Sequence, residues 1–167
     1  MLKQQTFDQS NRQEIQSIYD LVSFRLSMFT HSNDKSAQLW LLRKHQLTLT
    51  EFRLMGLIDA HGAATSSVLK GITSLDKGQL SRTIKQLKEK NYIQITTATR
   101  HQRSSSLELT DKGKQKYTPL YQQVIKQNGF ILENLSDIEC KLLFELIEKM
   151  KPHLDQRLAE EETLKLQ

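Results

Sequence analysis

A chain of 167 residues is long enough to bury a core as one domain or as one compact module with added helices. Its net charge of +5 suits an anionic partner, and eight basic residues against two acidic ones between Lys70 and Arg103 put the excess in one segment. A single cysteine, Cys140, excludes an intramolecular disulfide and a multi-cysteine zinc site and suits a reducing cytoplasm. The opening MLKQQTFDQS lacks the apolar core of a secretory signal, and no apolar run approaches the roughly 18 residues of a membrane span, so a cytoplasmic protein away from membranes is expected.

In chain order, Ile15, Ile18, Tyr19, Val22, Leu26 and Phe29 keep helical spacing and predict an amphipathic helix from Asn11 to about Met28. The polar stretch His31-Ser32-Asn33-Asp34 follows, and Ala37, Trp40, Leu41 and Leu42 resume the pattern to about His45, as one helix or two. Thr50 with Glu51 predicts the start of a helix over 50–60, with Phe52, Leu54, Met55 and Ile58 inward and His61-Gly62 ending it. A short helix from Ser66 has Val68, Leu69 and Ile72 as its apolar positions, and Thr73-Ser74-Leu75 turns the chain.

The next stretch, LDKGQLSRTIKQLKEKNYI over 75–93, opens with Asp76 and Gln79 at capping-box spacing. Leu80, Ile84 and Leu87 fall on one stripe; Gly78, Arg82 and Lys85 fall opposite, flanked by Gln79 and Ser81. Asn91 can take the left-handed conformation that ends a helix. Ile93–Thr97 and Ser105–Leu109 then alternate as strands and pair as a hairpin whose inward face carries Leu107 and Leu109. A helix from Thr110 to about Asn134 contains Pro119, and a last one, capped by Ser136 and Glu139, carries Leu142, Leu143, Leu146, Ile147 and Met150 past Pro152 to a frayed acidic end.

Helix, tight turn, basic helix and hairpin together predict a winged helix-turn-helix at 47–110, in a mainly α chain with one small β hairpin. Its second helix would enter a major groove, and a glycine on the exposed side of the first turn would allow close approach to bases or phosphates. Double-stranded DNA is thus the expected partner. Thr65, Ser66, Ser67, Lys70 and Lys88 are expected to hold phosphates, Gly78, Gln79, Ser81, Arg82 and Lys85 to read the major groove, and Lys77 to contact the DNA as well. The loop Arg100-His101-Gln102-Arg103-Ser104 would reach the backbone or a minor groove. A winged-helix module whose basic face meets an acidic protein is the alternative from another class.

The helices at 11–29 and 136–151 carry wide apolar stripes that a winged helix does not need, so a second copy of the chain is expected to cover them, with 1–46 and 111–167 as the helical dimerisation region. The histidines show no His-x-x-x-His spacing, and neither a glycine-rich phosphate loop nor a nucleophile-base motif stands out. No metal, cofactor or enzymatic activity is expected.

Three runs in order, LTLTEFRLMGLI, SSVLKGITSLDKGQLSRTIKQLKEKNYI and RHQRSSSLELTDKG, spanning 47–113, resemble the MarR family of bacterial transcriptional regulators. The resemblance implies a homodimer built by interlocking N- and C-terminal helices, with repression or activation of nearby genes often relieved by a small phenolic or aromatic acid. Arg103 matches the wing arginine of the family, while His101 stands where an Asp is usual, so an unbraced wing that stiffens on DNA is expected. An effector pocket would lie where the dimerisation helices meet the winged helix, and Arg25, Ser27, His31, Trp40 and Arg53 are its candidates: arginines for a carboxylate, Trp40 for an aromatic ring.

Overall fold

The computed structural model describes residues 16–73, 75–97 and 105–164, apart from the side chains of Thr97 and Glu162. The first part of the helix anticipated from Asn11, Ser74 of the turn, and the hairpin loop with Arg100, His101, Gln102, Arg103 and Ser104 lie outside the described residues. Two compact units divide the chain, Met1–Lys114 and Gln115–Gln167.

Among the described residues, the first element of this unit is a 3-10 turn, Ile18–Asp20, rather than an α-helix. Asp20's carboxylate accepts from the N–H and the hydroxyl of Ser17, both at 3.0 Å, which stops the α pattern there and holds this carboxyl below its ordinary pKa. Leu21 is extended, and helix α1 then runs unbroken over Val22–His45. The polar residues 31–34 do not interrupt it. They cost only a few tenths of a kcal/mol each relative to good helix formers, and long-range bonds hold the stretch in place. Asp34 receives both arms of Arg53 at 2.9 and 2.6 Å, and the Gln38 Oε1 accepts from the Leu49 N–H at 2.8 Å.

Helix α2 spans Leu49–His61. Its cap is Thr48, not Thr50: the Thr48 hydroxyl accepts from the Glu51 N–H at 3.1 Å while Glu51 accepts from the Thr48 N–H at 2.8 Å. Only a residue three before Glu51 can close that reciprocal pair. Leu54, Met55 and Ile58 are buried as anticipated, Phe52 is half-buried, and Gly62 ends the helix at φ 68°.

Helix α3, Ser66–Ile72, is capped by Thr65 and buries Leu69, leaving Val68 and Ile72 exposed, against expectation. About two turns of helix have one inward position per turn at most, and here one suffices. Helix α4 covers Lys77–Glu89, and strands β1 (Ile93–Thr97) and β2 (Ser105–Leu109) pair antiparallel with Ile93 opposite Leu109 and Ile95 opposite Leu107. Leu107 also exchanges both backbone bonds with Ala64, at 3.0 and 2.8 Å, which ties the hairpin to the chain entering α3. Helix α2 packs on α1, α4 and β2. The unit buries Leu41, Leu47, Leu54, Met55, Ile58, Leu69, Leu80, Leu87, Ile93, Leu107 and Leu109, each contributing about 2 kcal/mol of transfer free energy.

Helix α5, Asp111–Leu132, starts in this unit and contains Pro119 further on; helix α6, Asp137–Leu164, belongs to the second. Ser136 and Glu139 cap α6 as anticipated, the Glu139 carboxylate accepting from Ser136's N–H and hydroxyl at 2.8 and 2.7 Å. Its acidic end stays helical to Leu164, and Cys140 is half-buried. No described helix is long and apolar enough to cross a membrane.

Candidate nucleic-acid interface

Helices α3 and α4, the turn between them and the hairpin compose a winged helix-turn-helix. The position of α4 is set from both ends. At its start, the Asp76 Oδ1 accepts from the Gln79 N–H at 2.7 Å, as the capping-box spacing predicted. At its end, Asn91 takes φ 58°, and the Asn91 and Tyr92 N–H groups close onto Lys88 and Leu87 carbonyls at 2.9 Å each. The buried side is Leu80, Thr83 and Leu87, with Ile84 only half-buried. Thr83 was not foreseen as a core position; its hydroxyl donates to the Gln79 carbonyl at 2.9 Å, which satisfies the buried oxygen within the helix.

Lys77, Gly78, Gln79, Ser81, Arg82, Lys85 and Lys88 are all exposed on the free side of α4, and Ser66, Ser67 and Lys70 are exposed on α3. Thr65 is half-buried because its hydroxyl caps α3, accepting from the Val68 N–H at 3.2 Å. Gly78 has a second reason to be glycine, since a Cβ there would stand 3.2 Å from the capping oxygen of Asp76. Lys85 sits 3.8 Å from Glu89 in an exposed pair that leaves its charge largely available. Lys90, the remaining cation of this helix region, turns the other way. Its ammonium pairs with Glu51 at 2.5 Å, an acid with a side chain 2% exposed, so it does not belong to the basic face.

Arg82, Gln79 and Gln86 also line an open cleft with Gln38, Thr48, Thr50 and Leu75. The effector candidates lie on α1 and α2. Arg25 donates to the Tyr19 carbonyl at 2.5 Å and pairs with Asp20 at 3.3 Å. Arg53 forks onto Asp34, nine residues and about 13 Å of helix axis from Arg25. Ser27 and His31 are exposed on α1, and half-buried Trp40 meets His45 edge to face at 4.7 Å.

This architecture, a capped and outwardly basic helix in a winged helix-turn-helix with long flanking helices, is a DNA-binding fold. Residues 45–104 match the MarR family. The chain is 24% identical over 142 residues, 84% of its own length and 94% of theirs, to uncharacterised HTH-type transcriptional regulators of Bacillus cereus and Bacillus anthracis. Among solved structures it is similar to a MarR/EmrR family transcriptional regulator from Acinetobacter sp. ADP1, at TM-score 0.76 and 25% identity, covering 80% of this chain and 94% of that one. A mutant MarR from E. coli complexed with operator DNA shares the fold at TM-score 0.68 and 20% identity, over 80% of this chain and 98% of that one. Over residues 45–104 the chain is thus similar to the MarR family, and the relatives and solved structures it resembles are transcriptional regulators.

Proposed function

We propose that this protein is a homodimeric repressor that binds a pseudo-palindromic operator. The observation that carries the reading is the free side of α4: Gly78, Ser81, Arg82 and Lys85 stand exposed while the opposite side of the same helix is buried. In this reading Arg82 and Lys85 hydrogen-bond base edges, and Lys70, Lys88 and the hydroxyls of Thr65, Ser66 and Ser67 hold phosphates. Lys77, Gln79 and the wing residues Arg100, His101, Gln102, Arg103 and Ser104 complete the contact. Residues 47–110 form the reading domain; 1–46 and 111–167 form the dimer. Support for two copies comes from large apolar side chains left exposed, among them Val22 and Phe29 on α1, Phe130 on α5 and Ile138, Phe144 and Leu154 on α6. Two-fold pairing places half-sites about one helical turn, ~34 Å, apart. A small aromatic acid would release the DNA by favouring a dimer with mis-spaced α4 helices, its carboxylate exchanging with Asp20 or Asp34 on an arginine.

The test is selection of random duplex DNA by the purified chain at near-physiological salt, followed by sequencing. An enriched inverted repeat with one-turn spacing is the expected result. A folded protein that enriches nothing, with or without a benzoate-class acid, would transfer the basic face to an acidic protein partner.

A further inference from the structure

Among the described residues, the non-glycine positions with positive φ are Gln46 at 56° and Asn91 at 58°. Side chains with a Cβ enter that region rarely and stay there where the surroundings fix them. Gln46 ends α1 and Asn91 follows α4, and Lys90 joins the two. Its ammonium donates to the Gln46 carbonyl at 3.1 Å and to the Glu51 Oε1 at 2.5 Å. The other oxygen of Glu51 accepts from the Thr48 N–H at 2.8 Å, so one buried carboxylate serves both the cap of α2 and the end of α4. From the other side, the Lys112 ammonium donates to the Lys90 carbonyl at 2.9 Å, and the Thr110 hydroxyl to the Asn91 carbonyl at 2.7 Å.

With Glu51 buried and the Lys90 side chain 36% exposed, the pair adds little net attraction. What it adds is direction: the carboxylate oxygens and the ammonium protons accept few mutual placements. The end of α4 is thereby held to one position against the corner between α1 and α2. We propose that Glu51 and Lys90 are positioning residues for DNA recognition, the pair setting where α4 presents Arg82 and Lys85, and that Lys90 itself meets no phosphate. The inference rests on the DNA-binding reading above.

The experiment uses the full chain, a duplex recovered by the selection and a scrambled duplex of equal length, over a salt series. Lys90→Met is expected to cut the preference for the selected duplex on the order of tenfold, comparable to one mismatched base pair. The slope of log affinity against log salt should stay at the parental value, whereas Lys88→Ala lowers it by about one. Lys90→Arg, which keeps charge and donors, should retain most of the preference. A slope lowered by about one in Lys90→Met would make Lys90 a phosphate contact and overturn the proposal, and so would an unchanged preference. If circular dichroism shows Lys90→Met unfolded, Glu51→Gln replaces it with the same two readings expected; unfolding of both makes the pair structural and likewise overturns the positioning role. A parental chain that binds no duplex removes the DNA-binding reading itself, an outcome visible before any variant is made.

Discussion

Arg82 and Lys88 are both exposed cations on α4, and the proposed function gives them different chemistry. Arg82 lies a turn beyond Gly78 on the same side, where a guanidinium can fork onto a guanine edge; Lys88 lies near the end of the helix, suited to a phosphate. Arg82→Ala should therefore lose about 1–3 kcal/mol of discrimination between the selected duplex and a base-substituted one. Lys88→Ala should weaken all duplexes about equally and flatten the salt dependence, as fluorescence anisotropy would show; equal losses on random DNA for both would refute the division. A different glycine carries a stability prediction. Gly113, in the first turn of α5, has the Tyr92 carbonyl where a Cβ would be, so Gly113→Ala must shift backbone. Overpacking of this kind costs about 1–3 kcal/mol, to be read from urea unfolding. Nothing in the sequence marks that approach, because Tyr92 and Gly113 meet only through the hairpin. Gly78, by contrast, was legible as a special position, although its contact with the cap of Asp76 was not.

Among the helices, two starts were read from reciprocal caps. Asp76–Gln79 and Ser136–Glu139 were anticipated from spacing, and both bonds form. The same rule, applied one cap late, placed the start of α2 at Thr50 when Thr48 closes the pair with Glu51. The cap of α6 has a pH signature. Hydrogen bonds from the Ser136 N–H and hydroxyl lower the pKa of Glu139. A folded pKa below the unfolded one contributes stability present above the unfolded value and lost as pH falls through the folded value. Ser136→Ala should raise the Glu139 titration midpoint toward that of an ordinary glutamate and remove part of the acid-side loss, measurable by NMR titration of the carboxyl carbon. An unchanged midpoint would show that the backbone N–H bond holds the carboxylate without the hydroxyl. Continuity of α1 was beyond local reading, since the polar residues 31–34 look like a break until Arg53 supplies a partner for Asp34.

For the whole molecule, the apolar residues of α6 are the outstanding surface: Ile138 is 80% exposed and Phe144 55%. Water-facing side chains of that size on one helix favour association. The chain should sediment at twice its monomer mass, and Phe144→Glu should shift it toward monomer and lower affinity for the inverted repeat far more than for a single half-site. A parental chain that sediments as a monomer at micromolar concentration would remove the dimer from the proposal. The apolar stripes were legible in the sequence as faces needing a partner, but which surface covers them is not a local property.

The element types and most of their limits, the hairpin, the basic face of α4 and the resemblance to a family could be read from residues within a few positions of each other. Caps, turns and amphipathic periods are bonds and contacts of three to four residues' reach, so spacing reports them directly. The fate of Lys90, the continuity of α1 and the close approach of Gly113 to Tyr92 needed the folded chain. Lys90 and Glu51 stand 39 positions apart, Arg53 and Asp34 19, and such partners are chosen by packing, which brings together groups that no spacing in the sequence connects.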